Sequence, residues 1–561
     1  MPAENFFTDN PDLQFHINQG IDWKAILDMK QTLQDPNCAF STIEEAVSTF
    51  SEMMADPIGD LAANRIAPRA WDVDNIGCQL VDGKVLFPEG LQRNLKELNE
   101  AQLMGLTIPT RFGGLNFPEV FYAAAIEVIS RADASLMNFF GLQGGIGATI
   151  NQFGSDALKE KYLPGMAAGD LTGAMALTEA DAGSDLAAVQ TRAGMEANYD
   201  PVTDTWKISG TKRFITNGCG DVILVLARSE DPDKYGGGRG LSFFLVEKSE
   251  KVIVRRIEHK LGIHGSPTCE LYFDNAPGYL IGKRGFGLAR YTSWLMLAAR
   301  LAVAAQAQGI SEAALKAAEK YADEREQFGK PIRQFAQVAA MLQDMRVYSE
   351  ASRALLYATS AIVDLHQGAE HRELKDDVRK YGKLADTLTP MAKYYATELS
   401  NKIAYQSIQI HGGNGFMREY AVERLYRDAR ITNIYEGTSQ IQVNWAMLRV
   451  LKGTLDDWFA ELAAKDYGPA LAGQAEAARA NLETFKQACA FLQEKDNAFR
   501  EWTAPFLVDL TIDVLVSFLF LGHATQWDAK VAVADKFIRD AGPRIRMNLE
   551  YIRTAKPTVS A

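Results

Sequence analysis

The sequence predicts a multi-domain α+β fold, with helices at both ends of the chain and a sheet between them. Three observations lead to it. Apolar residues recur at helical spacing before about residue 170 and again after about 283. Between those limits come short runs rich in β-branched and aromatic residues, separated by Gly- and Pro-containing turns. The chain has 561 residues, 47% hydrophobic and 23% charged, which is ordinary globular composition and long enough for more than one core.

Taken in order, residues 1–170 form an N-terminal helical domain. The strings TIEEAVSTFSEMMADPIGDLAANRIAP and FPEVFYAAAIEVISRADASLMNFFGLQGGIGATINQFG carry the helical period, and IPTRFGGLNFP between them is a structured loop. Residues 171–282 form a central β domain, with strands expected at TWKISG, VILVLAR, LSFFLVE, VIVRRIE and CELYFD. Residues 283–452 form a C-terminal four-helix bundle, with helices expected over 294–327, 337–366, 385–411 and 441–451. Residues 453–561 form an extra helical segment.

Composition narrows the function. Net charge is −12, so bulk electrostatics do not favour nucleic acid or an anionic membrane. Five scattered cysteines suggest neither a zinc site nor a disulfide framework, and no metal is expected. The first residues, Met-Pro-Ala-Glu-Asn, lack a secretory profile, and a soluble cytoplasmic protein is expected. The run FLVDLTIDVLVSFLFL, 506–521, is short for a membrane span. It is read as a buried amphipathic helix with Asp509 and Asp513 on its wet edge.

Three polar strings interrupt these patterns. ALTEADAGSDLAAVQT, 176–191, offers hydroxyls on Thr178 and Ser184 and open backbone at Gly183, or is simply a connection into the β domain. KRFITNG, 212–218, sets an aromatic face, Phe214, beside a hydroxyl, Thr216; a hairpin end with a core Phe is the plainer reading. QIHGGNGF, 409–416, ends a helix sharply, and RDARITNIYEGTSQIQ follows at 427–442. Within the latter, Glu436 lies between Tyr435 and Gly437 just before a helix. It could act as a base with a raised pKa, or merely oppose the helix dipole.

Together these strings resemble the acyl-CoA dehydrogenase family, at the positions where that family writes TExxAGSD, K-x-[WF]-I-[TS]-N-G, R-x-x-F-G, Q-x-x-G-G-x-G and YEGT. The resemblance covers roughly residues 85–450. The string DLQFHINQGIDW near the N-terminus, IEHKLGIHGSPTCEL and the extra C-terminal segment are similar to a long bacterial branch of that family.

The resemblance implies an FAD enzyme that oxidises the Cα–Cβ bond of an acyl-CoA thioester to a 2-enoyl-CoA. Glu436 is then the catalytic base that takes the α-proton, while hydride leaves for the flavin; the thioester carbonyl is held by oxyanion-type hydrogen bonds. Some relatives place the base on the long bundle helix, but the matching residue here is Ala299. For FAD the resemblance implies Met175, Leu177, Thr178, Gly183, Ser184, Phe214 and Thr216. From a neighbouring subunit it implies Arg325, Gln327, Phe328, Gln409, Gly412 and Gly413, with Thr438 and Gln440 just after the base. Gln143, Arg300, Tyr435 and Gly437 are the substrate-side residues. A homodimer or homotetramer and an electron-transfer flavoprotein partner follow. The chain departs from the family at Leu297, Ala180, Thr110 and Met175, and Leu297 puts one pantetheine contact in doubt. His264 and His411 are read as packing and helix-end residues. An oxidase passing electrons to O2 and a non-catalytic binding module are the alternatives.

Overall fold

The structure is a computed structural model that describes residues 4–194 and 199–557. Helices precede and follow a central sheet, in the predicted order. The chain divides into two compact units. One is Glu52–Ala302 with the short pieces up to Asp9 and Asp35–Ala39; the other is Val303–Ala561 with Asn10–Gln34 and Phe40–Ser51. Residues 10–34 and 40–51 therefore lie in the second unit, whereas their period suggests that all of residues 1–170 form one N-terminal helical domain.

In the first unit, helices α1 (Glu119–Ala132), α2 (Met137–Phe153) and α3 (Asp156–Ala168) precede the sheet. Helix α1 is buried along nearly its whole length, which its apolar, Ala-rich composition permits. The strands are β1 (Gly173–Ala176), β2 (Tyr199–Asp200), β3 (Thr205–Thr216), β4 (Val222–Arg228), β5 (Leu241–Glu247), β6 (Val252–Ile257) and β7 (Thr268–Ile281). Their order is β1-β4-β5-β7-β3-β2, with β6 also on β7. Only the β1/β4 pair is parallel among these. Strands β4 and β5 are apolar on both faces and buried on both, as the runs VILVLA and LSFFLV require.

The pairing of β3 with β7 slips between Lys212 and Ile215, then resumes as Ile215 opposite Cys269. The slip is a bulge that bends the strand at Arg213 and Phe214. Phe214 has φ 60° and is 54% exposed, so it is not the core residue of a plain hairpin.

Helix α4 (Ser293–Glu324) contains the division between the units. The second unit continues with α5 (Ala336–His371), α6 (Lys375–His411), α7 (Ala421–Thr432) and α8 (Ser439–Val450). Helix α6 starts ten residues before its expected start at 385. Its first turns are polar and include Gly382, which hides them from an apolar count. Helix α7 was not expected at all; its half-buried Glu423 and Arg427 pair at 2.7 Å one turn apart.

The extension supplies α9 (Ala472–Gln493), α10 (Asn497–Ala524) and α11 (Ala529–Thr554). Among the described residues, α10 is the one helix long and apolar enough to cross a membrane, yet 78% of its most apolar 18-residue stretch is buried inside the fold. It is a core helix, as read. Its two aspartates correct the rest of that reading: Asp513 is buried, and the Arg544 guanidinium of α11 grips it through two bonds of 2.7 and 3.0 Å.

The N-terminal segment is fixed to the second unit by a buried charge network. Asp12 pairs with both Arg353 of α5 and Lys530 of α11; Lys530 also reaches Glu350 at 2.7 Å, and Arg353 reaches Glu312 at 2.9 Å. Burial pushes the Asp12 carboxyl up, but Lys530, Arg353 and His16 outweigh it and hold the group well below the usual carboxylate range. Burial and Lys530 push His523 down to about 3. Replacing Asp12 by Ala leaves two buried cations undercompensated, and the expected cost is about 3–5 kcal/mol in urea unfolding at pH 7. A depressed carboxylate contributes stability above its unfolded value and loses it as pH falls. The gap between wild type and Asp12→Ala therefore narrows below about pH 4.

Candidate active site

In the first unit, two of the three polar strings are locked together. Lys212 is fully buried and donates to the Leu177 carbonyl at 2.8 Å and to Glu179 Oε1 at 2.9 Å. Glu179 in turn accepts from the Gln190 and Thr191 amides, at 2.7 and 2.9 Å. The Arg213 amide donates to the Thr178 carbonyl at 2.9 Å. Burial pushes the Lys212 ammonium down to about 8 although Glu179 opposes this, so the pair keeps its charges at neutral pH. The effect is to fix the loop carrying Thr178, Gly183 and Ser184 beside the bulge carrying Phe214.

Gly183 and Ser184 are exposed, and Thr178, Met175 and Thr216 are half-buried. A Cβ added at Gly183 would meet only the Thr178 methyl, at 3.9 Å. The Arg213 guanidinium lies 4.8 Å from the Phe214 ring centre. Asn217, also with positive φ, ends the string by donating to the Gly173 carbonyl at 2.9 Å. This exposed aromatic face, flanked by hydroxyls and open backbone, suits a planar polar ring system. Leu177 differs from expectation: its side chain belongs to the core and its carbonyl is taken by Lys212.

Gln143 is a clearer correction. Its amide is buried, donates to the Met166 and Leu171 carbonyls at 2.9 and 2.7 Å, and accepts from the Gly173 amide at 3.2 Å. It satisfies backbone between α2, α3 and β1. Ala299 is buried on α4, while Leu297 and Arg300 are half-buried. His264 bridges the Lys260 carbonyl at 2.8 Å and Asp74 Oδ1 at 2.8 Å, a packing role as read.

In the second unit the remaining residues fall into two groups. Arg325, Gln327 and Phe328 lie on a tight turn after α4, and Gln409, Gly412 and Gly413 at the end of α6; all six are exposed. Phe328 is 93% exposed with φ 52°. A Cβ built at Gly329, Gly412 or Gly413 meets no atom within 4 Å. Among the described residues, the Arg325 guanidinium has no ion-pair partner. An exposed cation without an ion-pair partner and an open glycine turn fit an anionic group such as a diphosphate. His411 stacks on Tyr321 at 4.3 Å and bonds the Ser407 carbonyl, so it shapes the turn.

The second group is the loop between α7 and α8. Glu436 and Gly437 have φ of 55° and 90°, consecutive left-handed residues. Glu436 has a Cβ, so this conformation is disfavoured unless the surroundings impose it. They do: Gln442 Nε2 donates to the Glu436 and Gly437 carbonyls, both at 3.0 Å, and buried Lys393 donates to the Gly437 carbonyl at 2.8 Å. The Ser439 amide closes the loop on the Asn433 carbonyl at 3.1 Å. Thr438 caps α8 through the Ile441 amide, and Gln440 is exposed. The Tyr435 hydroxyl donates to Gln306 Oε1, and burial together with Glu436 pushes its phenol up. The result is a half-buried carboxylate on a pinned turn, fit to accept a proton at one place. Sequence reasoning found the carboxylate but missed Lys393, Gln442, Gln306 and Glu179, which read as ordinary helix or loop residues.

Known proteins resemble this chain over most of its length. The acyl-CoA dehydrogenase N-terminal, middle and C-terminal domain families match residues 49–170, 174–276 and 284–451. The 3-methylmercaptopropionyl-CoA dehydrogenase of Ruegeria pomeroyi is 38% identical over 477 residues, 78% of either chain. An acyl-CoA dehydrogenase of Bacillus subtilis is 38% identical over 395 residues, 70% of this chain and 95% of its own. The crystal structure of an acyl-CoA dehydrogenase complexed with FAD from Bacillus anthracis shares the fold. Its TM-score is 0.77 at 23% identity, over 95% of this chain and 91% of that one. With matched domains spanning most of its length and its polar strings at the family's positions, the chain belongs to the acyl-CoA dehydrogenase family.

Proposed function

We propose that this enzyme carries out FAD-dependent α,β-dehydrogenation of an acyl-CoA thioester, with Glu436 as the base. The observation that carries the reading is the left-handed turn at Glu436, held by the Gln442 amide and the Lys393 ammonium. FAD, when bound, supplies the acceptor for the hydride that leaves the β-carbon. Glu436 takes the α-proton onto its carboxylate, and the pinned turn holds that carboxylate without rearrangement. Lys212 and Glu179 keep the loops that offer Thr178, Ser184, Phe214 and Thr216 to the flavin in one position.

Arg325, Gln327, Phe328, Gln409 and the Gly412–Gly413 turn would serve the diphosphate and adenosine end in a homo-oligomer. An aromatic side chain 93% exposed on one copy supports burial by a second. Electrons leave by an electron-transfer flavoprotein, and a cytoplasmic setting suits that carrier. The net charge of −12 and the retained Glu436 speak against the binding-module alternative.

The test is anaerobic mixing of the purified protein with a panel of linear, branched, thioether and ring-bearing acyl-CoAs while flavin absorbance is followed. At least one member should bleach the flavin. Glu436→Gln should keep its FAD and bleach about 10²–10⁴-fold more slowly. Equal bleaching in that variant would remove Glu436 from its role, and rapid reoxidation by air without a carrier would favour the oxidase. Arg325→Ala should retain FAD about 10–100-fold more weakly, read from the ratio of flavin to protein absorbance after gel filtration, because a charge-assisted bond is lost.

A further inference from the structure

Helix α6 does more than pack in the bundle. Its Glu398 accepts at Oε1 from Asn433 Nδ2 at 3.2 Å and, at the same oxygen, from the Ser439 hydroxyl. Asn433 and Ser439 flank the loop that carries Glu436, and they are joined by the Ser439 amide on the Asn433 carbonyl. One carboxylate oxygen thus ties both ends of the loop, while Lys393, on the same helix, holds its middle at Gly437.

We propose that Glu398 is the positioning residue for the Glu436 loop. The proposal rests on Glu436 being the base. A left-handed residue with a side chain returns to commoner conformations once its flanks are free, and its carboxylate moves with it. A displacement near 1 Å at a reacting group lowers a rate by about 100-fold. Glu398 touches neither substrate nor base by this account; it fixes where the base stands.

The experiment uses full-length holoenzyme and stopped-flow bleaching with an acyl-CoA that reduces the wild type. Wild-type bleaching and its loss in Glu436→Gln test the base alone, so that reading fails or stands separately. Glu398→Ala is expected to retain FAD and bleach about 100-fold more slowly, with the half-saturating acyl-CoA concentration within about threefold of wild type. Glu398→Gln, which keeps an acceptor oxygen, is expected to recover at least about tenfold of that loss. Ser439→Ala removes one donor while leaving Glu398 in place. It is expected to slow bleaching about tenfold, and it decides the matter if Glu398→Ala does not fold.

Wild-type bleaching rates in Glu398→Ala or, where that variant does not fold, in Ser439→Ala overturn the positioning role. So does a loss in Glu398→Ala that appears only as weaker substrate saturation.

Discussion

An L-residue with φ of 55° keeps that conformation only while its neighbours exclude the others, and Glu436 is such a residue. Its backbone is gripped by three kinds of group: an amide from the following helix, an ammonium from α6, and a loop closure between Asn433 and Ser439. Gln442 and Lys393 are fully buried, so their bonds are made in surroundings where leaving them unmade would be costly. Under the proposed function the chemistry depends on this arrangement, because a carboxylate free to swing would meet a substrate's α-proton only part of the time.

The first unit solves a similar problem by different means. Two loops that must present hydroxyls and an aromatic ring have little apolar surface with which to hold themselves. A buried ammonium, Lys212, gathers a carbonyl from one string and a carboxylate from its own neighbour, and the carboxylate then collects two amides. A β-bulge lifts Phe214 outward where the strand would otherwise have turned it inward. In both units, polar anchors buried behind the surface leave the surface groups available for binding.

How much of this was legible in the sequence differs by level. The order of helices, sheet and helices was readable because periods of 3.6 and 2 leave marks within a dozen residues. Where residues 10–51 belong was not readable. Their placement is set by Asp12 meeting Arg353 and Lys530, 341 and 518 positions away, and no local pattern encodes such a partner. Helix α7 escaped because its sequence is rich in charge and follows a Gly-rich turn. Glu436 was legible through its motif, but Lys393 and Glu398 were not, since a polar residue within a long helix reads as a solvent face. Gln143 misled for the opposite reason: a lone amide in an apolar, Gly-rich helix suggests a pocket wall, whereas loose carbonyls nearby had claimed it.

The apolar helix α10 has a consequence for how the chain is made. Its cover comes in part from α11, which lies entirely C-terminal to it. During synthesis the ribosome therefore releases a membrane-like segment before the element that shields it exists. For that interval the nascent chain presents a hydrophobic rod able to recruit chaperones or stray toward a bilayer. Stalled or prematurely terminated products lacking the last helix would be the aggregation-prone species of this protein, whatever the soundness of the rest of the fold.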